Sequence, residues 1–293
     1  MSYPQYTTDI AHCRALHKFH GKSYYFATRF FPKHLREATW ILYAFFRVPD
    51  EIVDNPTYTK PEEITTALDS WIDEWRRVYH GTETTNPVLR ATKHIFGTYH
   101  IPYEYSESFL TAMKADITVS RYQNYRELEY YMYGSAAVVG LMMSYIIEFS
   151  DSKALPYAKA LGEAMQLTNF LRDISDDYIT RNRIYLPAED MEKFGVTEQT
   201  IKQKKVTPQF VSVMKYEIDR ARSLYTESEK GIPLLHPHGR FAVWVARILY
   251  SEILTEIEHA NYDIFSQRVR VSGWKKLWLV VKTYPTYKKI STT

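Results

Sequence analysis

Apolar residues return along this chain at intervals of three and four, and almost nowhere in strict alternation. Ala38, Ile41, Leu42, Phe45 and Phe46 form one such stripe, Leu68, Trp71, Ile72 and Trp75 a second, and Val211, Met214, Ile218, Ala221 and Leu224/Tyr225 a third. That spacing places apolar side chains on one face of a helix. No alternating β-branched run closed by an Asn-Gly or Asp-Gly turn competes with it. Helix breaks fall at Asn55-Pro56, Gly81, Asn86-Pro87, Ile101-Pro102, Leu186-Pro187 and Ile232-Pro233, dividing the chain into about ten helices. No long linker, repeat or low-complexity segment separates them. The expectation is a single all-α domain spanning residues 1–293.

With 293 residues, 45% of them hydrophobic, the chain can bury a sizeable core. Its net charge of +3 comes from acids and bases mixed along the sequence, which argues against a nucleic-acid partner. A single cysteine, Cys13, excludes an internal disulfide and suits a reducing compartment. The first 21 residues lack a basic head followed by an apolar run. The longest apolar stretch, Val138–Ile147, is short of the roughly 20 residues a spanning helix needs. The expectation is therefore a cytoplasmic protein, soluble or peripherally attached to a membrane.

Two acidic clusters stand out. In the first, Arg47-Val-Pro-Asp50-Glu51-Ile-Val-Asp54, Asp50 and Asp54 are one helical turn apart and project from one face. Two carboxylates stacked there repel unless a cation sits between them. Pro49 suggests a kink or restart just before them. In the second, Asn169, Asp173 and Asp177 form an oxygen ladder, with Gln166 beside it and Arg172 within it; Arg181, Arg183 and Tyr185 follow directly. Oxygen ligands without thiolates select a hard cation, Mg2+ best and Mn2+ as a possible substitute. Arginines beside carboxylates supply the fork that diphosphate oxygens need. Carboxylate, metal and guanidinium together are what polarising a diphosphate leaving group requires. A lone Asp-x-x-x-Asp is usually a solvated helix face; two, each flanked by arginine and apolar helix, point to a site.

These residues resemble the squalene/phytoene synthase family. The likeness runs through Ser23-Tyr24-Tyr25-Phe26-Ala27, Trp40 to Arg47, Asp50-Glu51-Ile-Val-Asp54, Tyr133-Gly134 to Gly140, the block from Ala160 through Asp177 to Pro187, Ala246-Arg247-Ile-Leu-Tyr250, and Asn261-Tyr262-Asp-Ile-Phe265. The blocks occur in the family's order and spacing over most of the chain. The second cluster and the Tyr262 to Phe265 ending look most like phytoene synthases. The resemblance implies an isoprenoid-synthase helical bundle with a central cavity. It implies metal ligands at Asp50, Asp54, Asn169, Asp173 and Asp177, and diphosphate contacts at Arg47, Arg172 and Tyr250. Ser23 matches the serine of a mobile flap, and Tyr43, Gln166, Arg183 and Tyr185 complete the expected substrate wall. Gly21 stands where some relatives have serine, and Ala137 where many have a glycine lining the tail tunnel; the latter bears on substrate length.

The implied reaction joins two geranylgeranyl diphosphates head to head (1'-1) through a cyclopropylcarbinyl diphosphate, giving phytoene without NADPH. The alternatives are squalene or dehydrosqualene synthesis from two farnesyl diphosphates, a terpene cyclase, and a non-catalytic isoprenoid-binding relative, in which the acidic ligands should be lost. Tyr43, Phe46, Tyr130, Tyr133 and Phe170 are candidates for stabilising a carbocation, though each also fits a plain core position. His12, His17 and His20 are spaced poorly for a shared metal, and His236-Pro237-His238 reads as a loop. The C-terminal run Trp274-Lys-Lys-Leu-Trp-Leu-Val-Val-Lys282 fits either a membrane interface or a last helix packed with its lysines outward.

Overall fold

The computed structural model describes residues 6–54, 57–58 and 60–291; the Asn55-Pro56 break lies outside them. Fourteen α-helices and no β-strand occur among the described residues: α1 (Thr7–His20), α2 (Lys22–Thr28), α3 (Lys33–Val53), α4 (Pro61–Tyr79), α5 (Pro87–Thr98), α6 (Tyr103–Thr118), α7 (Tyr125–Met132), α8 (Val138–Ile147), α9 (Ala154–Arg181), α10 (Ala188–Lys193), α11 (Glu198–Lys202), α12 (Pro208–Glu229), α13 (Pro237–His259) and α14 (Gly273–Ser291). The surplus over about ten comes mainly from α2, α10 and α11, which are seven, six and five residues long. Elements that short carry no readable period.

Local chemistry sets the boundaries. Asn86 caps α5 by accepting from the backbone N–H groups of Val88 and Leu89 at 3.1 and 3.3 Å, with Pro87 in the first turn. Thr207 and Pro208 start α12 in the same way. Asn182 takes the left-handed conformation (φ 52°) that ends α9, and Arg183 N–H then donates to the Asp177 carbonyl at 3.1 Å. That reversal returns Arg183 and Tyr185 toward the helix they have just left. Pro49 neither ends nor restarts α3: the helix runs through it, and Asp54 N–H still donates to the Asp50 carbonyl at 3.0 Å. A proline removes only one helical hydrogen bond, and here the ring is buried.

The three apolar stripes meet in one core. Phe45 and Trp75 are fully buried with ring centroids 5.0 Å apart, and the Trp75 indole N–H donates to Ser106 Oγ at 3.1 Å. Between α7 and α8, Tyr133–Ala137 widen into a single π-helical turn. The continuous helical run Tyr125–Ile147 is thus long and apolar enough to cross a bilayer by length and composition, but most of it is buried within the bundle.

The π-turn and α8 lie against α9 through glycine. A Cβ on Gly162 would run into the Ala136 carbonyl oxygen, and one on Gly140 into that of Ala158. Backbone cannot yield as a side-chain tip can. Gly162→Ala is therefore expected to cost roughly 1–3 kcal/mol, read as a lower urea midpoint.

Candidate active site

Helices α3 and α9 face each other across a cavity of about 950 Å3, a size that holds a substantial organic ligand. Turns of α3 deliver Tyr43, Phe46, Arg47 and Asp50, and its C-cap Asp54, to one wall; turns of α9 deliver Gln166, Asn169, Phe170, Asp173, Asp177 and Arg181 to the other. The thirteen residues expected to hold metal or substrate or to act in catalysis all line it: Ser23, Tyr43, Arg47, Asp50, Asp54, Gln166, Asn169, Arg172, Asp173, Asp177, Arg183, Tyr185 and Tyr250.

The two acidic clusters are one guanidinium apart. Arg181 contacts Asp54 at 2.7 Å and Asp177 at 2.9 Å, bridging α3 to α9. Arg183 adds Asp54 at 3.4 Å and donates to the Asp116 carbonyl at 2.6 Å. Arg47 pairs with Asp50 and, at 2.5 Å, with Glu51. Asp173 receives two arginines: Arg172 at 2.8 and 2.5 Å, and Arg268 at 2.8 and 2.7 Å. Asn169 Nδ2 donates to Gln166 Oε1 at 3.3 Å. On the same cavity lining, Lys276 of α14 donates to Ser23 Oγ of α2 at 2.9 Å.

Charge is unevenly compensated. Burial opposes ionisation of Asp173, yet Arg172 and Arg268 hold it below the usual carboxylate range. Asp177 is pushed up to about 7 by burial and then by Asp173, with Arg181 and Arg183 opposing. Burial followed by the repulsion of Asp54 lifts Asp50 to about 6. Asp116, on α6, rises to about 6 because it is buried, even though Tyr131 donates to it at 2.7 Å. Tyr250 is raised mainly by burial, with Arg172 drawing it down.

Donor chemistry can be tested against a divalent cation. Among the described residues, no three His, Cys, Asp or Glu side chains are placed to hold a metal alone. What the cavity offers is oxygen donors in ones and twos on two walls, the arrangement that suits Mg2+ completed by water and phosphate oxygens. The donor set fits.

Sequence reasoning passed over Arg181 as a mere neighbour and missed Arg268, Lys276, Asp116 and Tyr131. Of the proposed aromatic set, Tyr43, Phe46 and Phe170 line the cavity. Tyr130 is 83% exposed and Tyr133 37%, and the inward tyrosine is Tyr131, between them. Tyr131, Phe170 and Tyr185 stack, with Phe170 and Tyr185 centroids 3.9 Å apart. Ala137 is fully buried away from the cavity, beside Gly162; the π-turn hands the lining position to Ala136. At Gly21 a Cβ would come within 2.9 Å of both His17 and Tyr43, whose rings stack at 3.9 Å. The three N-terminal histidines diverge. His12 is exposed, His17 is buried on Tyr43 with its pKa lowered by burial to about 3, and His20 meets Glu51 at 3.4 Å.

The squalene/phytoene synthase profile matches residues 17–275, which is most of the chain. The chain belongs to the squalene/phytoene synthase family. It is a prenyltransferase of that family, built on the family's all-α fold. The phytoene synthase of Arthrospira platensis is 34% identical over 278 residues, covering 90% of this chain and 89% of that protein. The 15-cis-phytoene synthase of Synechocystis sp. is 35% identical over 280 residues, covering 90% and 81%. Among solved structures, a dehydrosqualene synthase in complex with ligand superposes with a TM-score of 0.91 at 30% identity, covering 98% of this chain and 99% of that one. A squalene synthase from Alicyclobacillus acidocaldarius gives 0.80 at 27% identity, covering 89% and 97%.

Proposed function

We propose that this synthase condenses two geranylgeranyl diphosphates head to head, giving phytoene and two diphosphates. The observation that carries the reading is the pair of acidic clusters on α3 and α9, bridged by Arg181 above one cavity with apolar depth. Its length preference rests on relatives named phytoene synthase.

Arg47, Arg172, Arg181, Arg183, Arg268 and Lys276 hold diphosphate oxygens of the two substrates and orient each C1 carbon into the cavity. Asp50 and Asp54 on one wall and Asn169, Asp173 and Asp177 on the other would hold magnesium, which would supply positive charge that favours departure of the diphosphate. The C1–O bond of the first substrate breaks, and its electron pair leaves with the diphosphate. The 2,3 double bond of the second substrate attacks the allylic cation, and loss of a proton closes a cyclopropylcarbinyl diphosphate. Loss of the second diphosphate, rearrangement and loss of another proton give the hydrocarbon. No reductant is required by this balance. Phe46, Tyr131 and Phe170 keep water from the cations and turn aromatic faces toward them.

A second reading is favoured by the 0.91 superposition on a dehydrosqualene synthase: the same chemistry on two farnesyl diphosphates. Purified protein with magnesium, offered each diphosphate separately with and without NADPH, separates the two. A C40 hydrocarbon from geranylgeranyl diphosphate without NADPH is expected. A C30 product moves the reading to farnesyl diphosphate, and absence of diphosphate release from either substrate overturns both.

A further inference from the structure

Basic charge is concentrated at one end of the chain. After Asp263 the sequence has no acidic residue, while Arg268, Arg270, Lys275, Lys276, Lys282, Lys288 and Lys289 all lie beyond it. Those seven positive charges leave the preceding residues with a net −4 out of the total of +3. The helix within this stretch, α14, turns the expected packing inside out. Its inward face carries Leu279, buried, Thr283, which accepts from the Trp244 indole at 3.3 Å, and Tyr287 against Phe241. Two lysines also point inward: Lys275 pairs with Glu252 at 2.5 Å and with Glu256, and Lys276 reaches Ser23. Large apolar side chains face out instead, with Trp274 85% exposed, Leu277 51%, Trp278 52% and Val281 69%. Lys282 lies over the Trp278 ring at 4.3 Å, at the edge of this stripe.

We infer that the outward face of α14 docks the protein on an anionic lipid surface, its apolar stripe entering the boundary between headgroups and acyl chains. An apolar stripe on a helix that carries no acid, and whose exposed charges (Lys282, Lys288 and Lys289) are all positive, is complementary to such a surface: tryptophans lodge at headgroup level and lysine heads reach lipid phosphates. A soluble protein partner of ordinary charge would leave that one-sided charge unanswered. The placement also joins surface to site. Lys276 and exposed Phe19 both line the cavity, so the docked face adjoins the rim through which a long hydrocarbon must pass.

The test is co-sedimentation of the full-length protein with vesicles of phosphatidylcholine, with and without added phosphatidylglycerol, in the absence of any substrate. Its outcome is thus independent of the reaction assigned above. Binding to the anionic vesicles, weakened by salt, is expected. The variant W274S/L277S/W278S should bind about tenfold more weakly or worse, and V281E should bind more weakly as well. Both should retain the wild-type melting curve and diphosphate release from detergent-dispersed substrate. Sedimentation with neither vesicle, or equal binding by wild type and both variants, overturns the inference. So does a concentration-dependent dimer in ultracentrifugation that the triple variant abolishes, since the face would then belong to a second copy of the chain.

Discussion

Asp173→Asn is expected to lower diphosphate release by about a thousandfold while leaving the fold in place. The side chain keeps its shape and loses its charge. In the native site that charge answers both Arg172 and Arg268, from a position burial would otherwise neutralise. Asparagine has no charge to answer either, and its neutral amide binds a divalent cation more weakly than a carboxylate does. Two guanidinium groups are then left facing each other where diphosphate oxygens and metal must be arranged to a few tenths of an ångström. Single-turnover diphosphate release and a thermal melt on the same preparation check this. Near-normal turnover would remove Asp173 from the catalytic set, and a collapsed melt would assign it a structural role.

The largest loss of stability should come from a place remote from the cavity. Arg220 contacts Asp190 at 3.0 Å and Glu217 at 2.7 Å, and its guanidinium lies 4.1 Å from the centroid of the Tyr125 ring. Asp190 and Glu217 are 4% and 1% exposed. Arg220→Ala strands two buried carboxylates, a change that typically costs about 3–5 kcal/mol. Its pH dependence has a definite sign. Burial first, then Asp190, already lifts Glu217 from 4.5 to about 7, with Arg220 opposing. A carboxyl whose folded pKa lies above its unfolded one destabilises the fold increasingly as pH rises from about 4.5 toward the folded value. Without Arg220 that value climbs further and the destabilisation reaches higher pH. The gap between wild type and variant, measured by urea unfolding, should be widest near pH 8 and narrower near pH 6. A gap that widens on acidification would show that the carboxylates are not the cause.

What could be read from the sequence follows from which signals are local. Apolar spacing located the long helices because a buried face must repeat every turn. Asp50 with Asp54, and Asn169 with Asp173 and Asp177, were legible because one helix suffices to align each set. Arg268 was not, since it reaches Asp173 across 95 residues of sequence, nor was Asp116, one acid on α6 with no acidic neighbour a turn away. Tyr131 was overlooked between Tyr130 and Tyr133 because helical phase near a π-turn departs from the usual period. That it is the one acid in the far half of α6 was the available hint of Asp116. The inverted face of α14 was illegible for a different reason: lysine and tryptophan are both amphipathic, and only Glu252, Glu256 and Ser23 decide which of them turns inward.

The widened turn at Tyr133–Ala137 behaves like an inserted letter in a reading frame. Every residue beyond it is rotated by about 100° from where an unbroken α-helix would put it. Ala136, Val139, Gly140 and Met143 form the cavity wall only in this frame. An unbroken α-helix through the same sequence would leave the composition of α8 untouched and swing that wall out of phase. Attempts to alter the length of the bound chain by substitution should therefore begin at Ala136, where a larger side chain enters the cavity, and not at Ala137.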